Sequence, residues 1–277
     1  MSVTVKSTHT GGRMARPLRD DGISGGHEGT TQWNDRYISV ICLGVLGVLA
    51  VGSPLLAQQA DNDPATLMQK ALTAYSAAMT YQSNWTYTMD RGGVVQKMAM
   101  EIKSKGRAQL YYKVSAVDKK PLPPNVDPIP EMLVVLDGKT AWFQNTSENV
   151  YFRVELPKDP KTSPLMFMPQ MPAAGEVKRL PDAIEDGKSV SIIEAPNANA
   201  GKTRMEIDSA TSHIKRIVSE SFIAATRVLS TIQVDKETFD AEIPDSQFKH
   251  KPPKGAKEIP APPGAAALFG PKEVGKS

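Results

Sequence analysis

The chain changes its hydrophobic period once, near residue 80. Ahead of that point Met68, Ala71, Leu72, Tyr75 and Met79 recur at spacings of three and four residues, one apolar stripe at helical period. Asp63-Pro64 opens the segment. The Asp carboxylate can take a free backbone N–H, and proline at the first helical position forfeits no hydrogen bond. The pattern predicts a helix with one face to bury.

From Trp85 onward the period is two. Trp85, Tyr87 and Met89 alternate with Asn84, Thr86 and Thr88. After Arg91-Gly92-Gly93 the alternation resumes with Met98, Met100 and Ile102, and after Lys105-Gly106 with Leu110, Tyr112 and Val114. Each run reads as a half-buried strand between turns. Residues 121–130 hold five prolines and read as an extended loop. An apolar run at 132–136 then meets Asp137-Gly138, a strong hairpin signal, followed by runs at 140–144 and 150–156. Six prolines in 157–181 surround Leu165-Met166-Phe167-Met168 and predict no regular element there. Strands are expected again at 189–194, 203–208, 214–218 and 227–234. The fold class is therefore mainly β with α, an antiparallel meander that a helix covers.

Composition narrows the organisation. Residues 38–57 carry no charge, follow Arg36 and end in Ser53-Pro54-Leu55-Leu56-Ala57, the order of a secretory signal with cleavage near Ala57. An uncleaved membrane anchor is the rival, which Pro54 and three interior glycines weaken. The expected division is an N-terminal extension and signal over 1–57, one domain over 58–259, and a flexible Pro/Ala/Gly/Lys tail over 260–277. Cys42, the sole cysteine, lies within the apolar run, so no intramolecular disulfide framework is available. Lys+Arg 33 against Asp+Glu 30, with 6% aromatics, does not make the basic, ring-bearing face of a nucleic-acid binder.

Catalytic and metal chemistry find few parts. Beyond the signal the histidines are His213 and His250, too few donors for a transition-metal site. Gly138-Lys139-Thr140 and Gly201-Lys202-Thr203 have Leu133 and Pro196 where a phosphate loop needs glycine. Ser212-His213-Ile214-Lys215 matches S-x-x-K but opens a strand rather than a helix. No cofactor, metal or catalytic residue is expected, and a binding protein is favoured over an enzyme.

Several motifs in order resemble those of the LolA-type periplasmic lipoprotein carriers and their superfamily. Asp137-Gly138-Lys139-Thr140-Ala141-Trp142-Phe143-x-Asn145 is similar to that family's D-G-K-T-x-W-F/Y-x-N hairpin. Thr162-Ser163-Pro164-Leu165-Met166-Phe167 is similar to its lid-opening segment, and Phe248-x-x-x-Pro252-Pro253-x-Gly255 to its closing motif. The resemblance implies a strongly curved half-barrel with its concave face covered by helices. It also implies a monomeric carrier of lipoprotein acyl chains or another apolar ligand in the periplasm. Burying about ten methylenes at about 0.8 kcal/mol each corresponds to roughly micromolar affinity. The ligand wall is expected from Trp85, Tyr87, Met89, Met98, Met100, Leu110, Tyr112 and Trp142, with Met166, Phe167 and Met168 as its lip. Ordinary core packing accounts for the same residues, since one face of a curved sheet must be buried in any case. Lys105-Gly106 stands where the carriers have an Arg-Pro linked to ligand hand-off, so Lys105 is the matching position without the planar guanidinium fork. The alternative is an envelope sensor or scaffold that binds a protein partner through 119–130 and the basic stretch 249–257.

Overall fold

A computed structural model describes residues 63–270 except 119–120, 125, 161, 168–176, 198–199 and 224–225. The expected signal segment and Met168 lie outside the described residues. Helix α1 (Pro64–Ala77) starts as its sequence dictates: Asp63 Oδ2 accepts from the Thr66 N–H at 2.9 Å, with Pro64 at the first position. Met68, Ala71 and Tyr75 are buried. The helix stops two residues before the apolar stripe does. Ala78 is extended (φ −62°, ψ 130°), so Met79 leaves the stripe and is 77% exposed.

Among the described residues twelve strands follow. In chain order they are β1 (Thr80–Arg91), β2 (Val94–Lys105), β3 (Gln109–Ala116), β4 (Met132–Asp137), β5 (Thr140–Asn145), β6 (Val150–Glu155), β7 (Lys178–Glu185), β8 (Lys188–Pro196), β9 (Lys202–Asp208), β10 (Ile214–Ile223), β11 (Thr226–Phe239) and β12 (Lys257–Glu258). They form one sheet in the order β12-β6-β5-β4-β3-β2-β1-β11-β10-β9-β8-β7. The sheet is curved and open, an incomplete barrel. Every pairing is antiparallel except the short parallel contact of β12 with β6. The chain therefore builds one arm, β1 to β6, crosses to the far edge, and returns from β7 to β11. The seam between the arms is the β1–β11 pairing, with Tyr81 opposite Phe239 and Arg91 opposite Val228.

Turn chemistry fixes the registers. Gly92 and Gly93 have φ of 61° and 87°, the left-handed pair that a two-residue hairpin of type I′ requires. Asp90 Oδ1 accepts the Gly93 N–H at 2.8 Å. At the β4–β5 turn, Asp137 Oδ1 accepts from the N–H groups of both Lys139 and Thr140 at 2.9 and 2.8 Å. Gly201 serves a different need: a Cβ there would lie 1.8 Å from the Glu220 carbonyl oxygen, so only glycine allows this close passage of two backbones.

Strand β7 occupies part of the proline-rich stretch from which no element was expected. Pro181 is tolerated because β7 is an edge strand, and the pairing with β8 is irregular between Leu180 and Ala183. That irregularity and the Arg179–Asp182 ion pair at 2.8 Å interrupt the free edge, which discourages further strand addition.

The segment after β11 wraps the β2–β6 arm. Phe248, in a 3-10 turn at Asp245–Phe248, is buried, and Gln247 accepts from Lys103 Nζ at 2.8 Å. The chain then pairs briefly with β6 and enters a second 3-10 turn, Ala265–Phe269. Phe269 is 0% exposed, with its ring 6.1 Å from that of Phe143. Of the tail expected to be flexible over 260–277, the described residues 260–270 are packed through Phe269, because the tail's one aromatic finds an apolar seat.

Candidate functional site

Alternation along each strand sends one set of side chains to the inner face. Register aligns these sets across the sheet. Trp85 stands opposite Met100, Tyr87 opposite Met98 and Ser83 opposite Ile102. Ile102 faces Tyr112, Met100 faces Val114, and Leu110 pairs with Leu136. Val134, Phe143 and Phe152 continue the layer, with the Phe143 and Phe152 rings stacked at 4.6 Å. On the other arm Ile232, Ile217, Met205 and Ile193 follow one another across β11, β10, β9 and β8.

Most of this surface is withdrawn from water. Trp85, Met98, Met100, Leu110 and Tyr112 are buried, while Tyr87 and Met89 are half-buried. Fully burying a Leu, Met or Phe side chain is worth about 1.5–3 kcal/mol, so the face stays covered in a stable molecule. Part of the cover is known. Phe167, from the β6–β7 crossing, lies 4.6 Å from the Tyr112 ring, and the Thr162 hydroxyl donates to the Arg107 carbonyl. Phe269 covers Phe143. Burial pushes the Tyr112 phenol above its ordinary range, so the ring is a neutral wall element. Met166 is half-buried.

Two of the expected site residues stand apart from this group. Trp142 shares β5 with Phe143, and the period of two sends it to the opposite, outer face. There its ring meets His250 at 5.5 Å and Tyr151 at 6.0 Å, with the Arg153 guanidinium 5.5 Å over it. Lys105, at the end of β2, pairs with Asp245 at 2.5 Å and also donates to the Ile243 carbonyl at 3.4 Å. It fastens the C-terminal segment and does not join the wall.

The strand alternation did not single out a polar cluster beneath α1. Glu237 Oε1 lies 3.0 Å from His213 Nδ1, and Glu237 Oε2 accepts from the Tyr75 and Tyr81 hydroxyls at 3.1 and 3.4 Å. Burial raises the Glu237 carboxyl, against the pull of His213 and the two phenols. The phenols of Tyr75 and Tyr81 are raised by burial and by this carboxylate. Alternation carried no signal for it, because the register shift between Asn84 and Trp85 puts Glu237 on the same face as Val234 despite their odd spacing. Among the described residues no group of three His, Cys, Asp or Glu could hold a metal ion, and no helix is long and apolar enough to cross a membrane.

No family model and no curated protein matches the chain. Among solved structures, an uncharacterized conserved protein from Thermus thermophilus aligns at 11% identity over 70% of this chain and 96% of its own, with a TM-score of 0.45. MucB, in the MucA/MucB complex of Pseudomonas aeruginosa, aligns at 10% identity over 68% of this chain and 61% of its own, with a TM-score of 0.39. A LolA superfamily protein from Nitrosomonas europaea aligns at 12% identity over 68% and 98%, with a TM-score of 0.30. At these identities the likeness concerns architecture.

Proposed function

We propose that this protein is an exported periplasmic binding protein that holds an apolar, lipid-like ligand against the inner face of its sheet, as a carrier. The observation that carries the reading is the continuous inner layer from Trp85, Met98 and Met100 through Leu110 and Tyr112, met by Phe167 from the crossing segment. A task of sheltering hydrocarbon asks for area and for a cover that can move, and it asks for no nucleophile or base. The β6–β7 crossing suits the cover, since among its described residues Phe167 meets the wall at Tyr112 while Thr162 is tied to the β2–β3 turn.

The test is to purify the full chain from membranes and extract it for lipid mass spectrometry, in parallel with titration by a fluorescent fatty acid. Co-purifying lipid and saturable uptake, weakened by Tyr112→Ala, are expected. No lipid and no uptake would overturn the carrier reading. One stoichiometric protein partner in a cross-linking pull-down, without lipid, would install the sensor or scaffold reading in its place.

A further inference from the structure

The inner face changes character within one residue row. One row runs Met98, Tyr87, Ile232, Ile217, Met205 and Ile193 across six strands. The next row toward the hairpin tips, two residues along each strand, runs Gln96, Met89, Ser230, Ser219, Thr203 and Ala195. Apolar side chains thus give way to hydroxyls on three adjacent strands. The hydroxyls bond in two pairs that stand side by side: Thr203 Oγ1 and Ser219 Oγ are 3.1 Å apart, and Tyr87 Oη and Ser230 Oγ 3.2 Å, with Ser219 opposite Ser230 in the ladder. Asn197 Nδ2 donates to Ser219 Oγ at 3.3 Å. Ser219 and Ser230 are half-buried, whereas Ile232, Ile217 and Met205 in the row behind are buried.

Resting on the carrier reading, we infer that the ligand is an amphiphile with an uncharged, oxygen-rich head, an acyl ester or a hydroxylated group, bound with its tail on the apolar rows and its head on the Ser230–Ser219–Thr203 ladder. A hydroxyl offers one donor and two acceptor sites, so Ser230, which among the described residues meets Tyr87, and Ser219 keep capacity for a head group. The row itself carries no ionised side chain. Arg91 lies one row further toward the tips and is exposed. An anionic head would be drawn past the ladder to it, while a plain hydrocarbon would leave the ladder unused.

Competition against the fluorescent probe N-phenyl-1-naphthylamine on the full chain tests this with three ligands of one tail length: 1-dodecanoylglycerol, dodecanoate and dodecane. The ester is expected to compete at least tenfold better than dodecane and better than dodecanoate. Ser230→Ala and Ser219→Ala should each weaken the ester about two- to tenfold, the worth of one hydrogen bond, and leave dodecane unchanged. Their urea midpoints establish that both variants fold. Equal competition by ester and dodecane, or tightest binding by dodecanoate, overturns the inference while the carrier reading stands. Failure of all three to compete overturns both.

Discussion

The hydroxyl of Tyr75 donates to Glu237 Oε2 at 3.1 Å and accepts the Ile214 N–H at 2.9 Å. One side chain of α1 therefore grips two neighbouring strands, β11 and β10. Its ring also lies 5.3 Å from Tyr81 and 5.4 Å from Phe239. Tyr75→Phe keeps the ring contacts and removes both hydrogen bonds, leaving a buried N–H without its acceptor. The expected cost is about 1–3 kcal/mol, read as a lower urea midpoint with an unchanged slope. An unchanged midpoint would mean that water or another group already satisfies Ile214.

Glu237 makes stability depend on pH in a direction opposite to that of a salt-bridged surface carboxylate. Burial raises its pKa in the fold above the unfolded value. Its contribution is complete at pH below the ordinary carboxylate range and is lost as pH rises through the raised folded value. Glu237→Gln retains an acceptor for Tyr75 and cannot ionise. The urea midpoint of the variant minus that of the native chain should therefore grow from acid to neutral pH. The same comparison in a His213→Asn background removes the imidazole that stands 3.0 Å from the carboxylate. A gap that stays flat with pH contradicts the burial argument.

On the outer side of the other arm, Glu206 is 3% exposed and Arg216 Nη2 stands 2.6 Å from its Oε2. Arg216 also reaches Glu185 at 3.1 Å. Arg216→Met strands a buried carboxylate, at an expected cost of about 3–5 kcal/mol. Adding Glu206→Leu should recover most of it, because an apolar pair needs no compensation. A double-mutant cycle by chemical denaturation measures the coupling. Simple additivity would show that the two charges are solvated independently.

The C-terminal segment offers a sharp contrast between composition and packing. Phe269→Ala removes a fully buried ring from the seat beside Phe143, and a loss of about 3–5 kcal/mol is expected. Deletion of 260–277 should be at least as costly. A thermal melt of either variant that matches the native chain would show that the segment is dispensable.

The strands that sequence made legible are those with strict alternation between glycine turns: β1, β2 and β3, then β4 and β5 around Asp137-Gly138. There one buried face and one polar face impose a period of two, and the turn residues punctuate it. β7 was illegible for a physical reason. As an edge strand with Pro181 and an irregular register, it needs few ladder bonds and carries no clean alternation. The packing of Phe269 was hidden by its neighbours, since composition registers the surrounding Pro, Ala and Gly and misses one anchoring ring. For the candidate site, alternation brought Trp85, Met98, Met100, Leu110 and Tyr112 to one face. It failed at Trp142 because the choice between adjacent residues 142 and 143 depends on register with β4, where Val134 pairs with Phe143. The Glu237 cluster depends on residues from α1, β1 and β11 and the loop before β10, which only the folded chain brings together.

The seam joins the first strand to the last long one, with Tyr81 against Phe239. During synthesis β1 to β6 can assemble by short-range pairing as they emerge, but the outer edge of β1 stays bare until β11 has left the ribosome. The two arms become one molecule only at that late moment, and Glu237, which helps lock α1 down, arrives on the same strand. A chain interrupted anywhere before β11 would leave the seam ladder unfilled, its helix unlatched and Trp85 without Val234 opposite it.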